Sequence, residues 1–275
     1  MIRYNPKSRT LILQLPNGRD WRIAVLVGFI IIINVLVSYI DLPLAIYMNN
    51  LDPGIVGFFR RVTLLGDSKY YLIPLALLLP FLMAARQAIL PGSARRVLTW
   101  GAGAITFMFA SVAGSGLVAD LIKIIVGRTR PTMWLNPDNW VDGQGIYGFA
   151  PFTLGDNKYH SMPSGHADTA FAMALALSFF IPKARFPLLL MAALVAFSRV
   201  VITAHYFSDI LIGSLLGLAF TYWLRDYVTR RGWVFVKRGG EYQPQAPGYL
   251  LGQKVRTLLL NRFGLPDGAR GKLPK

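Results

Sequence analysis

Lys123 and Arg130, Ser164-Gly165-His166, and Arg199 with His205 and Asp209 are the residues whose types and spacing suit chemistry in this chain. Lys123 and Arg130 stand seven positions apart, two turns of helix, and Pro131 follows. On one helix the two cations share a face, and the proline stops it. Two such cations suit a phosphate, because arginine offers a planar fork and lysine a point charge. Pro163-Ser164-Gly165-His166 precedes an apolar run. Serine caps a helix start, glycine lets a ligand approach the backbone, and a helix N-terminus presents free N–H groups to an anion. His205 and Asp209 are four positions apart and meet if helix continues through them. An aspartate on one imidazole nitrogen orients the ring and leaves the other free to attack. Arg199 lies six positions before His205, roughly 240° around an ideal helix. A break near Thr203–Phe207 is therefore needed to bring both to one site.

Taken singly, each fragment also has a plain structural reading. Lys123 and Arg130 can be cations snorkelling at a helix end, and that is the reading preferred for Arg128. Pro163 to His166 can be a simple cap with an incidental histidine. Around these, His160 reads as a loop histidine. Gly66-Asp67-Ser68 reads as a turn on the face that would line the site. Asp168 reads as support for the first turn of its helix, and Asp120 as a partner for Lys123 or Arg130.

The elements that must position these residues are helices in a membrane. Hydrophobic residues make up 54% of the chain and charged ones 15%, against about 45–50% and about 25% in soluble domains. Six segments are apolar enough to span a bilayer, near residues 22–40, 70–85, 97–119, 165–181, 186–204 and 207–224, each close to the ~20 residues required. The expected fold is all-α, a polytopic membrane protein with six transmembrane helices. The first span has no small-residue cleavage site after it and reads as an uncleaved anchor. Residues 1–21 form a cytoplasmic N-terminal segment, 22–225 the six-helix domain and 226–275 a basic cytoplasmic tail. Within the tail, 249–263 reads as a basic amphipathic helix on the inner surface or as disorder. Leu42 to Arg61 reads as an amphipathic stretch along the interface. Residues 132–162, with Trp134, Trp140, Tyr147, Phe149, Phe152 and Tyr159, read as an interfacial loop or as a lid that contacts substrate.

The net charge of +16 is explained by topology. With the N-terminus in the cytoplasm, the inner segments hold 21 of the 29 basic and 4 of the 13 acidic residues, a net +17, and the outer segments a net −1. Basic residues collect on the cytoplasmic side of membrane proteins, so nucleic-acid binding is not needed to account for them. The same orientation puts all the chemistry-bearing helix ends outside the cytoplasm. The chain has no cysteine, which excludes disulfides and thiolate metal sites, and its three histidines make a multi-histidine metal site hard to build. No nucleotide or cofactor motif is present.

Together, Lys123-(six residues)-Arg130-Pro131, Pro163-Ser164-Gly165-His166 and Ser198-Arg199-(five residues)-His205-(three residues)-Asp209 resemble the three-part signature of the type 2 phosphatidic acid phosphatase superfamily, in its membrane-bound lipid phosphatase branch. Every position is present and in order. The motifs cover residues 123–209, and the six-span layout extends the resemblance over 20–225. The resemblance implies that His205 attacks phosphorus and forms a phosphohistidine, with Asp209 orienting it. His166 would protonate the leaving alkoxide and then activate water. Lys123, Arg130, Arg199, Ser164 and the Gly165 backbone would hold the phosphoryl oxygens, with no metal and no cofactor. That fits the chemistry, since phosphoryl transfer is mostly positioning and charge stabilisation.

The implied substrate is a lipid phosphate monoester or diphosphate, in the class of phosphatidic acid, phosphatidylglycerol phosphate, undecaprenyl diphosphate or lipid A. Membrane lipids are the other expected partners, and no protein partner is readable. A phosphotransferase that passes the phosphoryl group from His205 to another lipid or sugar is one alternative. A non-catalytic lipid transporter is another, and the His205, Asp209 and His166 set argues against it. The absence of cysteine and of Asn-x-Ser/Thr sequons fits a multi-pass protein of a bacterial inner membrane, with both termini cytoplasmic and a periplasmic site.

Overall fold

The structure is a computed structural model that describes residues 2–5, 10–13, 20–87 and 92–245. It is mostly helical. A short antiparallel hairpin, β1 (Ile2–Asn5) and β2 (Thr10–Leu13), precedes the helices. The first helical stretch is α1 (Asp20–Val35), a five-residue π-helical segment (Leu36–Ile40) and α2 (Asp41–Asn49). Next comes α3 (Pro53–Val62), capped by Asp52, whose side chain accepts from the Gly54 N–H at 2.7 Å. The longer helices are α4 (Lys69–Gln87) and α5 (Gly92–Val126). The single turn α6 (Thr132–Leu135) is followed by α7 (Gly165–Ser178), α8 (Arg185–Val201) and α9 (Phe207–Arg230). A second antiparallel hairpin, β3 (Phe235–Arg238) and β4 (Glu241–Pro244), follows α9. These two hairpins are the departure from an all-α chain.

At the centre stands α7, packed against α5, α8 and α9. Ala167, Ala170, Ala172, Ala174 and Ala176 are all buried on it. In lipid, apolar burial drives helices together only weakly, and close approach of backbones through small residues does more. That logic is visible between α7 and α9. A Cβ at Gly213 would lie 2.4 Å from the Ser164 carbonyl oxygen, and one at Gly217 would lie 2.4 Å from that of Asp168. The two glycines, four residues apart, let α9 press directly on the backbone that starts α7.

Five stretches among the described residues are long and apolar enough to cross a membrane: Trp21–Asn49, Pro53–Ala85, Ala94–Val126, Pro182–Val201 and Phe207–Arg230. The chain is a multi-pass membrane protein on this ground. The expected span over 165–181 is the 14-residue α7, about 21 Å long. Its neighbours cover it, so it has little lipid-facing length to match.

Other boundaries also move. The first helical stretch does not end at residue 40 but runs to Asn49, so Asp41 is buried inside the bundle rather than set on an interfacial surface. The boundary at 225/226 falls inside α9, and the segment after it packs back on the bundle through Val234 and Phe235. The expected inner-surface helix at 249–263 lies outside the described residues.

Candidate active site

The first fragment is split by a turn. Lys123 sits in the last turn of α5, and Gly127 ends that helix with a left-handed φ of 60°. A Cβ there would lie 1.7 Å from the Ala150 carbonyl oxygen, so only glycine fits. The expectation that Lys123 and Arg130 share one helical face fails for this reason. Arg130 lies beyond the turn in extended chain. Its guanidinium donates to three backbone carbonyls: Asn157 at 2.7 Å, Ala204 at 3.3 Å and His160 at 3.4 Å. The His160 ring is itself occupied, bonded through Nε2 to the Thr153 carbonyl at 2.9 Å. Lys123 pairs with Asp120 at 2.7 Å and reaches the start of α7, where a Cβ on Gly165 would lie 3.3 Å from its Nζ.

The second fragment opens α7. The Ser164 N–H donates to the Asp209 carbonyl at 3.0 Å, which fixes the start of α7 against the start of α9. The Ser164 hydroxyl is buried and has no partner among the described residues. His166 faces Gly66, where a Cβ would come within 3.1 Å of the imidazole Cδ2. A cavity of about 430 Å³ opens here. Its polar wall is Asp67, Ser68, Asp120, Lys123, Gly165 and His166, and its apolar wall includes Leu72, Val112, Ala113 and Leu117. No residue of the 132–162 loop lines it. Nor do Arg130, Ser164, Arg199, His205 or Asp209. Asp168 is buried two residues past His166 and accepts from the Ser115 hydroxyl at 2.9 Å.

The third fragment contains the break it needs. Helix α8 stops at Val201, Thr203 takes a left-handed φ of 51°, and α9 begins at Phe207. The His205 N–H bonds back to the Arg199 carbonyl at 3.2 Å, so the loop folds over the end of α8. Arg199 donates from one terminal nitrogen to the Thr63 hydroxyl at 2.9 Å, while its Nε is buried without a partner among the described residues.

His205 is only 3% exposed. Its Nδ1 lies 2.7 Å from the Ser161 carbonyl oxygen and 3.7 Å from Asp209 Oδ2. A carbonyl can only accept, so Nδ1 carries the hydrogen and Nε2 the lone pair. The immediate orienting group is therefore a backbone carbonyl, and Asp209 stands one step further off. The Asp209 carboxylate is occupied by the Ser161 hydroxyl at 2.6 Å, the Tyr206 N–H at 2.9 Å and Arg128 at 2.6 Å. Burial pushes the His205 imidazole down to about 4. Asp209 resists that shift, and the Arg130 and Arg199 cations add to it.

Arg128 is not a snorkelling cation. It is 1% exposed and held between two acids, Asp209 at 2.6 Å and Asp41 at 2.8 Å. It also donates to the Ser208 hydroxyl at 2.6 Å and the Tyr147 hydroxyl at 3.1 Å. Its plane lies over the Tyr206 ring, 4.4 Å from the centroid. Burial alone would lower its pKa, but Asp209 and Asp41 more than reverse this and raise it.

Residues 104–233 match the PAP2 superfamily. The chain is 34% identical over 129 residues to a lipid A 1-phosphatase of Rhizobium johnstonii, covering 47% of this chain and 50% of that protein. It is 35% identical over 111 residues to a lipid A 1-phosphatase of Rhizobium etli, covering 40% of this chain and 44% of that one. The chain thus spans about half the length of the curated relatives it matches. In structure it is similar to a transmembrane PAP2-type phosphatidylglycerolphosphate phosphatase from Bacillus subtilis. The TM-score is 0.52 at 20% identity, over 76% of this chain and 96% of that one. At that identity the likeness concerns the fold.

All eight residues singled out in the sequence lie inside the PAP2 segment. Two contacts to them come from outside it, Thr63 on Arg199 and Gly66 against His166; Asp67 on the cavity wall and Asp41 on Arg128 also lie outside it. Sequence reading missed Asp41 and misread Arg128. The available signal was a lone acid within an apolar run, since an intramembrane charge invites a search for its partner.

Proposed function

We propose that this chain hydrolyses a phosphate ester carried by a membrane lipid, through a phosphohistidine on His205. The observation that carries this reading is the pairing of a nucleophile with unfilled anion donors. His205 keeps its Nε2 lone pair because Nδ1–H is bound to Ser161. On the neighbouring helix ends, the Ser164 hydroxyl and Arg199 Nε are buried with no partner among the described residues. A phosphoryl oxygen would satisfy both, and leaving them empty carries a cost of about 1–3 kcal/mol each. Lys123, Arg130 and the Gly165 backbone complete the cradle, and these fixed donors supply the charge stabilisation the reaction needs.

In the first step Nε2 attacks phosphorus, the P–O bond to the lipid breaks, and His166 gives its proton to the departing alkoxide. In the second, His166 takes a proton from water, which attacks the phosphohistidine and frees inorganic phosphate and His205. Asp209 stabilises the positive charge that the His205 ring carries between the steps.

Lipid A carrying its 1-phosphate is the first substrate to test, because the two rhizobial relatives are named for that activity. An apolar and a polar wall in one cavity suit such an amphiphile. In this reading α7 serves as a sixth membrane-embedded helix. The excess of basic residues on the opposite segments supports a site on the extracytoplasmic side, with both termini in the cytoplasm.

The test is phosphate release from lipid A, phosphatidic acid, phosphatidylglycerol phosphate and undecaprenyl diphosphate, in detergent with EDTA, by the wild type and His205→Ala. Release that survives EDTA and vanishes in the variant is the expected result. Equal release by the variant would remove His205 as nucleophile, and loss with EDTA would remove the metal-free mechanism.

A further inference from the structure

We propose that Asp41, on the first helical stretch and outside the PAP2 segment, is a positioning residue that restores to His205 the negative charge Arg128 would cancel. The proposal rests on His205 being the nucleophile. Charges near the ring divide into two sets. Arg130, Arg199 and, on the cavity wall, Lys123 are the cations available to oppose a bound phosphate. His166 lies within electrostatic reach from α7. What remains for the ring is Asp209, and Asp209 Oδ1 is paired with Arg128 at 2.6 Å. Alone, that buried pair is neutral, and a neutral pair does little for an imidazole that becomes cationic when phosphorylated.

Asp41 changes the sum. Its Oδ2 accepts from Arg128 at 2.8 Å and from the Ser208 hydroxyl, and its Oδ1 accepts from the Ser208 N–H at 3.0 Å. Every contact is donated to it, as a carboxylate requires. The buried set of Asp41, Arg128 and Asp209 therefore carries one net negative charge, which becomes neutral overall when His205 gains its positive charge. In a site shut off from water that difference is weighted heavily.

The backbone is shaped to deliver this contact. The π-helical segment Leu36–Ile40 immediately precedes Asp41, and within it the Val37 carbonyl accepts from the Tyr147 hydroxyl, whose oxygen in turn accepts from Arg128 at 3.1 Å. Such π-helical insertions recur at functional positions. Asp41 is also tied to the first turn of α9 through Ser208, one residue before Asp209.

The experiment compares kcat, KM and the thermal midpoint for purified wild type, His205→Ala, Asp41→Asn, Arg128→Gln and the double variant Asp41→Asn/Arg128→Gln, on the lipid phosphate the wild type cleaves best. Asp41→Asn should lower kcat about 10- to 100-fold with KM nearly unchanged. The double variant has the wild-type net charge and should recover at least about tenfold over Asp41→Asn. A double variant no faster than Asp41→Asn, with both folded, would show that Asp41 is only an anchor and overturn the proposal. If Asp41→Asn does not fold, the double variant decides by itself: activity within about tenfold of wild type supports the charge role, and its loss, or failure to fold, overturns it. A wild type that releases no phosphate, or His205→Ala as active as wild type, would instead overturn the nucleophile reading and this proposal with it.

Discussion

At the end of the bundle where α5 stops and α7 starts, Arg128 is locked between Asp41 and Asp209 with its charge fully buried. At the opposite end, Arg225 lies over the rings of Tyr242, Tyr222 and Phe179, at 3.8, 4.9 and 5.1 Å from their centroids. Its carboxylate partner, Asp226, is its neighbour in sequence, and that side chain is 40% exposed. Beneath it, Phe235 of the β3–β4 hairpin is buried against Phe107, Phe179 and Phe180. Both ends use arginine and aromatic rings, but in different ways. The first end holds charges in directional hydrogen bonds with no solvent to relax them, which suits a group that must keep its orientation. The second closes the bundle with stacked apolar surface and leaves the charges near water, where small displacements cost little.

The largest test of this contrast is loss of function without loss of fold. His205→Ala should reduce phosphate release by at least about 1000-fold. Phe235→Ala should leave kcat unchanged in the same assay. Equal effects on kcat would erase the distinction between the ends.

Stability should show the next largest effect. Arg128→Leu leaves Asp41 and Asp209 facing each other in a buried site, and removing one partner of such a set costs about 3–5 kcal/mol. Phe235→Ala removes a buried ring at a similar cost of about 3–5 kcal/mol. Chemical denaturation should find comparable losses for both, with activity per folded molecule lost only in Arg128→Leu.

A pH window sharpens the comparison further. His205 is neutral in the fold down to about pH 4, whereas an unfolded histidine takes up a proton near 6.5. Between those values the unfolded chain binds the extra proton, so stability falls as pH is lowered from about 6.5, and the loss is complete near 4. Wild type should lose on the order of 2 kcal/mol more than His205→Gln across that window. Identical pH dependence in the thermal midpoints would mean the ring titrates as it does in water. The smallest effect is expected for Arg225→Gln, about 0.5–1 kcal/mol in stability and none in kcat. A loss of activity there would show that the two ends are coupled.

The local fragments were legible from sequence because each depends on near neighbours. Ser164 before an apolar run, Pro131 soon after the end of α5, and the break near Thr203–Phe207 are all short-range features. The apolar blocks gave the helices to within several residues, since bilayer thickness sets their length. Several features were not legible for an equally physical reason. That Gly127, rather than Pro131, ends α5 depends on the Ala150 carbonyl occupying the space a side chain would need. That Ser161, rather than Asp209, makes the close contact to His205 depends on a carbonyl 44 residues away in sequence.

By itself, then, the sequence determined a membrane-embedded helical chain, the superfamily its central segment resembles, and which few polar side chains warranted scrutiny. Hydrophobic periodicity and motif spacing are properties of adjacent residues and survive without a fold. Only the tertiary structure decided who partners whom. Asp41 and Arg128 are 87 positions apart, and Asp41 and Ser208 are 167 apart. Locally Asp41 stands out only as a lone acid in an apolar run, which does not name its partner. The pairing follows from α7 and α9 packing backbone against backbone at Gly213 and Gly217, and from the first helical stretch lying where its acid meets Arg128, buried between the end of α5 and the start of α9.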